Sequence, residues 1–172
     1  MGTVGRQIFV HGPYGERQLR ETLSDLLVAL ILSPGPVWLV SPWVSDFDLL
    51  DNRSGDWTSV NPSWGARYVM FSELLSAGVD AGCDLRMVTN GAEGNRRFHE
   101  RVTKGLGQPD RVRWKVADLL HTKGLLCSSF FLAGSMNFTY SGMNRNDEHL
   151  RLAVSPEEVA EARQAFEDRY EL

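Results

Sequence analysis

Residues 121–150 read HTKGLLCSSFFLAGSMNFTYSGMNRNDEHL, and this stretch decides both the fold and the chemistry of the chain. HTKGLLC (121–127) and FFLAGSMNF (130–138) are apolar runs separated by Ser128-Ser129, the pattern of a β-hairpin, and EHLRLAV (148–154) adds a third strand. Side chains two apart on a strand share a face, so His121 and Lys123 point the same way, as do Ser135 and Asn137. If the two faces coincide, one small pocket holds an imidazole, an ammonium, a hydroxyl and a carboxamide. That set suits a phosphodiester. Lys123 supplies positive charge, and Ser135 and Asn137 donate hydrogen bonds to non-bridging oxygens. His121 can attack phosphorus or pass protons near neutral pH, and Glu148 can hold the imidazole in one tautomer.

Outward from this hairpin, the chain alternates helix and strand. GERQLRETLSDLLVALILS carries apolar residues at 19, 23, 26, 27, 30 and 31, which predicts an amphipathic helix over 16–32, ended by Pro34 and Pro36. VWLV (37–40) is a buried strand and SPWVSDFDLLDN the loop after it. The polar DNRSGDWTSVNPSWG leads into a second helix over 66–78. DLRMVT (84–89) is a strand, NGAEGN a turn, 95–104 a basic helix, and RVRWKVA (111–117) an alternating strand. PEEVAEARQAFEDRY closes the chain as a helix with Glu157 and Glu158 at its positive end. Early alternation followed by successive strands predicts a mixed β-sheet flanked by helices on both faces, an α/β fold in one domain over 1–172.

His121-x-Lys123, then Gly134-Ser135-Met136-Asn137-Phe138-Thr139, then Asn146-Asp147-Glu148 resembles the signature of the phospholipase D superfamily. The glutamate falls eleven residues after Asn137, as in the small single-motif bacterial nucleases of that family. Residues 37–154 look like one half of a phospholipase-D-type domain. SPWVSDFDLLDN with HTKGLLCSSFFLAGSMNFTYSGM is most similar to the phospholipase-D-like proteins of bacterial DNA-modification and phage-defence islands, the Dpd type. The resemblance implies a metal-independent DNA nuclease without a cofactor. In that reading His121 forms a phosphohistidine, Lys123, Ser135 and Asn137 hold the phosphate, and Glu148 orients His121. Two departures stand out. The family's aspartate five residues after the lysine is Ser128 here, and the gap to Gly134 is one residue shorter. That aspartate is a supporting residue in the family, so its loss bears on rate more than on chemistry.

His-x-Lys occurs once, yet the mechanism calls for two opposed histidines. A two-fold homodimer with a shared site is therefore expected. Net charge is −4, which by itself speaks against a nucleic-acid binder, but the segment 84–124 holds nine of the eighteen basic residues against five acids and is locally +4. The second reading is a nucleic-acid-binding or assembly subunit that keeps the pocket without turnover, with other defence-system subunits as partners. A lipid phosphodiesterase ranks last, since no amphipathic helix rich in basic and aromatic residues is evident. No apolar run reaches membrane-spanning length. The MGTVGRQIFV start lacks the basic and apolar segments of a secretory signal, and two cysteines, Cys83 and Cys127, make no disulfide framework, so a cytoplasmic location is expected. His11, His99 and His149 read as structural. HGPYG and NGAEGN lack the Gly-Lys-Ser/Thr ending of a nucleotide phosphate loop and read as turns. Trp43, Trp57 and Trp64 are candidates for stacking at the site rim, Trp43 foremost.

Overall fold

The computed structural model describes residues 5–172. Seven strands form one mixed sheet: β1 (Arg6–Val10), β2 (Pro36–Val40), β5 (Asp84–Thr89), β6 (Val112–Val116), β7 (Gly124–Leu126), β8 (Phe131–Gly134) and β9 (Glu148–Ala153). Their order across the sheet is β1-β9-β8-β7-β2-β5-β6. β2, β5 and β6 are mutually parallel, while β7, β8, β9 and β1 are joined by antiparallel ladders. A separate antiparallel ribbon pairs β3 (Asp48–Asp51) with β4 (Tyr68–Met70).

Helices cover both faces, as the alternation of elements predicts. On one face α1 (Gly12–Leu32), α2 (Phe71–Ala81), α3 (Glu93–Thr103) and the short α4 (Tyr140–Asn144) enclose the main core, with Leu19, Leu23, Leu39, Phe71, Leu125 and Leu132 among its fully buried side chains. On the other, α5 (Pro156–Tyr170) lays Val159, Phe166 and Tyr170 over Trp38, Val88 and Leu126. The alternation of Leu125 into one core and Leu126 into the other is the period-two pleat expressed as two layers. At roughly 1.5–3 kcal/mol per large apolar side chain, this two-sided burial is the main force holding β2 and β7 central.

Several boundaries differ from the expected ones: α1 begins at Gly12, not at 16, and α3 at Glu93, not at 95, so HGPYG and NGAEGN, expected as turns, run into the first turns of helices. The second helix starts at Phe71, not at 66, because Tyr68, Val69 and Met70 pair with Asp48–Asp51 before the helix begins. Asp46 then caps it, accepting from the Ser72 backbone N–H at 2.9 Å and the Ser72 hydroxyl at 2.7 Å. The hairpin strands are shorter than 121–127 and 130–138. His121, Thr122 and Lys123 lie on the approach to β7, and β8 stops at Gly134. β1 was not anticipated; Ile8 and Val10 are buried and alternate with exposed neighbours, but five residues give too short a run to stand out.

The topology places the carboxyl ends of β1, β2, β5, β6 and β8 at the same edge of the sheet as the amino ends of β7 and β9. Crevices beyond the carboxyl ends of such strands are where α/β folds build sites.

Candidate active site

All the sequence-predicted residues come to that edge. Val40 pairs with Gly124 and Gly124 with Ala133, so the next step of both ladders puts Lys123 between Ser41 and Gly134. His121 stands two residues further out and is exposed, and Lys123 is half-buried. The Lys123 ammonium donates to the His121 carbonyl at 2.7 Å, which ties the approach segment to itself.

Ser135 ends the β8–β9 ladder in an unusual way. Its backbone N–H donates to the His149 carbonyl at 3.0 Å, but the His149 N–H donates to the Ser135 hydroxyl, also at 3.0 Å, where a carbonyl would ordinarily accept. The hydroxyl in turn donates to the Glu148 carboxylate, whose other oxygen accepts from the Asn146 amide at 3.3 Å. Glu148 is buried, so these bonds compensate its desolvation. Among the described residues no hydrogen bond joins Glu148 to His121. The carboxylate therefore holds Ser135 rather than the imidazole that the resemblance assigns to it. Gly134 is required here: a Cβ would collide with the His149 carbonyl, where β8 and β9 run closest.

The rest of the motif loop is held from below. Met136 and Phe138 are buried in the main core, and Phe138 stacks on Phe71, 6.0 Å between ring centroids, which stacks in turn on Phe47 at 4.9 Å. That anchoring leaves Ser135 and Asn137 on the opposite side, as their spacing predicts. Ser41 and Ser45 then stitch the SPWVS loop to the motif. The Ser41 hydroxyl donates to the Asn137 carboxamide oxygen at 3.3 Å and accepts from the Phe138 N–H. Ser45 donates its N–H to the Phe138 carbonyl at 3.0 Å and accepts the Tyr140 N–H at 2.9 Å. Beneath them the buried Asn95 accepts from the Val44 N–H at 2.8 Å and donates to the Pro42 carbonyl at 2.9 Å. Sequence reasoning passed over Ser41, Ser45 and Asn95. The only local signal was a serine on each side of Pro42-Trp43-Val44, which by itself marks any turn.

Ser128, at the position of the missing aspartate, lies at the opposite end of the hairpin. It sits in the turn closed by the Cys127 N–H to the Phe130 carbonyl at 3.0 Å, against Gly35 at the entry to β2. It stands five positions along the chain from Lys123, across the three residues of β7, roughly 16 Å for an extended segment. The departure from the family pattern thus falls on the turn and not on the reacting groups.

The other histidines have partners of their own. His99 stacks on Trp114 at 4.9 Å, and burial pushes its pKa below the usual value, so it is neutral at pH 7. His149 stacks on Phe9 at 4.6 Å and its Nε2 meets Gln7 at 2.6 Å; His11 lies 3.5 Å from Asp147. Of the three tryptophans, for which packing is the favoured expectation over base stacking, Trp64 is in the core and Trp57 packs against it, while Trp43 is 52% exposed. No helix among the described residues is long and apolar enough to cross a membrane.

The family described as cardiolipin synthase, PLD-like domain, matches residues 65–170, which span the motif and every strand from β4 to β9. The chain belongs to the PLD-like domain family. No curated protein matches its sequence. Among solved structures it is similar to NucT from Helicobacter pylori, with 11% identity over 97% of this chain and 95% of that one and a TM-score of 0.65. It is also similar to Nuc from Salmonella typhimurium, a phospholipase D family member, with 13% identity over 97% and 93% of the two chains and a TM-score of 0.61. TrmBL2, an archaeal chromatin protein, shares the fold at 13% identity over 98% of this chain and 53% of that one, with a TM-score of 0.54. At these identities the likeness is one of fold.

Proposed function

We propose that the chain is a metal-independent phosphodiesterase that cleaves DNA through a phosphohistidine. The observation that carries this reading is that the segment entering β7, with His121 and Lys123, and the segment leaving β8, with Ser135 and Asn137, lie at the same end of two paired strands. A cleft of about 460 Å³ opens beside His121 between the β6–β7 connection and the end of α5; Lys123, Ser135 and Asn137 are not among its lining residues. An imidazole nitrogen of His121 attacks phosphorus, and the P–O bond to the departing strand breaks. A second, protonated imidazole gives its proton to that oxygen. The same imidazole then takes a proton from water as the water oxygen attacks phosphorus, and the N–P bond returns its electron pair to His121. Lys123 and the Asn137 amide neutralise the charge that builds on the non-bridging oxygens, and Ser135 joins them by turning its one hydroxyl proton from Glu148 to the phosphate, so the protein's own groups supply the stabilisation.

The second imidazole comes from His121 of a second copy, brought across the phosphate by a two-fold axis. Within one chain, His99 is stacked and neutral, and His11 and His149 are engaged at the β1–β9 edge. A role in a bacterial DNA-modification or phage-defence system, alongside other subunits, follows from the SPWVSDFDLLDN and motif resemblance. The test is incubation of single- and double-stranded DNA with excess chelator, followed by acid quench and a search for a phosphoramidate on His121. Cleavage that survives chelation and ends with His121→Ala supports the reading; cleavage lost to chelator, or retained by the variant, overturns it. Refolding equal amounts of wild type and His121→Ala together leaves about a quarter of full activity if one shared site needs both histidines, and about half if each chain carries an independent site.

A catalytically silent DNA-binding subunit is the second reading, favoured by the fold shared with TrmBL2, whose structure is described as showing a novel mode of DNA binding. Salt-sensitive binding without cleavage, unchanged in His121→Ala, would select it.

A further inference from the structure

The basic helix and the exposed tryptophan were not absorbed by the chemistry of the site, and the fold brings them together. α3 buries Phe98 and Val102 and turns Arg97, Arg101 and Lys104 outward at i, i+4 and i+7, one stripe along its exposed side. Two adjoining hollows run along this stripe. One, of about 280 Å³, is lined by Ser45, Asp46, Arg97, Phe98 and Arg101; the other, of about 300 Å³, by Arg97, Glu100, Arg101 and Lys104. The first begins at Ser45, whose hydroxyl accepts the Tyr140 N–H, so the trough opens directly beside the motif loop. Two exposed aromatic side chains belong to the segments that Ser45 joins: Trp43, two residues before it and 52% exposed, and Tyr140, 48% exposed, whose N–H Ser45 accepts and whose ring has the Arg145 guanidinium 5.2 Å from its centroid.

We infer that this trough is a track for single-stranded DNA leading away from the catalytic edge: bases stack on Trp43 and Tyr140, and phosphates follow Arg97, Arg101 and Lys104. The inference rests on the reading of the site as one that acts on DNA, and it names the strand state and the path. Aromatic faces beside a cationic groove are what an unpaired strand requires, because in a duplex the base faces are already stacked on each other. Along the helix the stripe advances about 6 Å from Arg97 to Arg101 and 4.5 Å to Lys104, of the order of the phosphate spacing of an extended strand. The carboxylates nearby do not close the track. Asp46 is committed to Ser72 at the start of α2 and meets Arg101 at 3.3 Å with one oxygen. Glu93 is shared between Arg96 and Arg97 at 3.4 and 3.6 Å, and such exposed pairs are weak enough to exchange for phosphate. Glu100 remains in the trough, and the helix with its C-cap is still +2.

The test is fluorescence anisotropy with a labelled 12-nucleotide oligothymidylate and a 12-base-pair duplex, using the His121→Ala protein so that binding is read without cleavage. The single strand is expected to bind more tightly than the duplex. Trp43→Ala should weaken it roughly tenfold. The combined Arg97→Ala, Arg101→Ala, Lys104→Ala protein should lower the magnitude of the log Kd against log salt slope by about 2, the share of three single-strand phosphate contacts. Lys104→Glu alone, at a fully exposed helix end, should weaken binding without touching the Asp46 contact and guards against a misfolded triple variant. Tighter duplex binding, or an unchanged slope and affinity in both charge variants, overturns the track. The two readings fail separately: a protein that binds along these residues but never cleaves keeps the track and loses the nuclease. One that cleaves DNA with unaltered KM in the charge variants keeps the nuclease and loses the track.

Discussion

The two ends of the β7–β8 hairpin carry opposite loads. At the catalytic end, Lys123 stands between Ser41 and Gly134, and Ser135 is gripped by Glu148 and the β9 backbone. At the other end, Cys127 to Phe130 form a turn whose Ser128 is exposed and near only the entry to β2. In sequence the two ends look like parts of one motif, and a missing aspartate at Ser128 reads as damage to it. In space they are separated by the length of a strand, so a change at one end has no short route to the other.

The sharpest way to break this comparison is His121→Ala, which removes the proposed nucleophile and should lower turnover by about 10⁴-fold or more while leaving the melting temperature within a few degrees, since the residue is exposed. Lys123→Ala should cost a few kcal/mol of transition-state stabilisation, roughly 10²–10³ in kcat, with unchanged circular dichroism; an unfolded variant would make the lysine structural instead. Next come Ser135→Ala and Glu148→Gln, each expected to slow turnover about tenfold. Because the hydroxyl and carboxylate act as one unit, the double variant should be little worse than either single one, a coupling of about 1 kcal/mol. Strict additivity would return Glu148 to the role of orienting His121. The smallest effect belongs to the far end: Ser128→Asp, which restores the family residue, should change kcat less than twofold and stability by less than about 0.5 kcal/mol. A large gain in rate from that substitution would show that the two ends are coupled after all.

How legible each part was depended on how local its cause is. The long helix α1 was visible because its apolar residues recur at helical period from 19 to 31, more than three turns, and the strand at Asp84–Thr89 because it is apolar and bounded by turns. The helix start at Phe71 was misplaced, since Tyr68–Met70 become a strand only by pairing with Asp48–Asp51, a partner some twenty residues away. The grouping of His121, Lys123, Ser135 and Asn137 on one edge was readable from spacing, because hairpin partners are near in sequence. Ser41 and Asn95 were not. Ser41 meets Asn137 across 96 residues and Asn95 meets Val44 across 51, and hydroxyl and amide side chains carry no periodic signal of such partners.

By itself the sequence determined the class of the fold, the chemistry that the motif can perform and the elements that bear it, because hydrophobic period and residue type act within a few residues. Which partner Glu148 takes within the chain, how far Ser128 stands from Lys123, and that Ser45 and Asp46 line a trough with α3 were decided only by the tertiary structure. These are consequences of strand order and ladder register, and the free energy that selects them is the burial of Met136, Phe138 and their neighbours in a common core, a property of the whole sheet rather than of any stretch of chain.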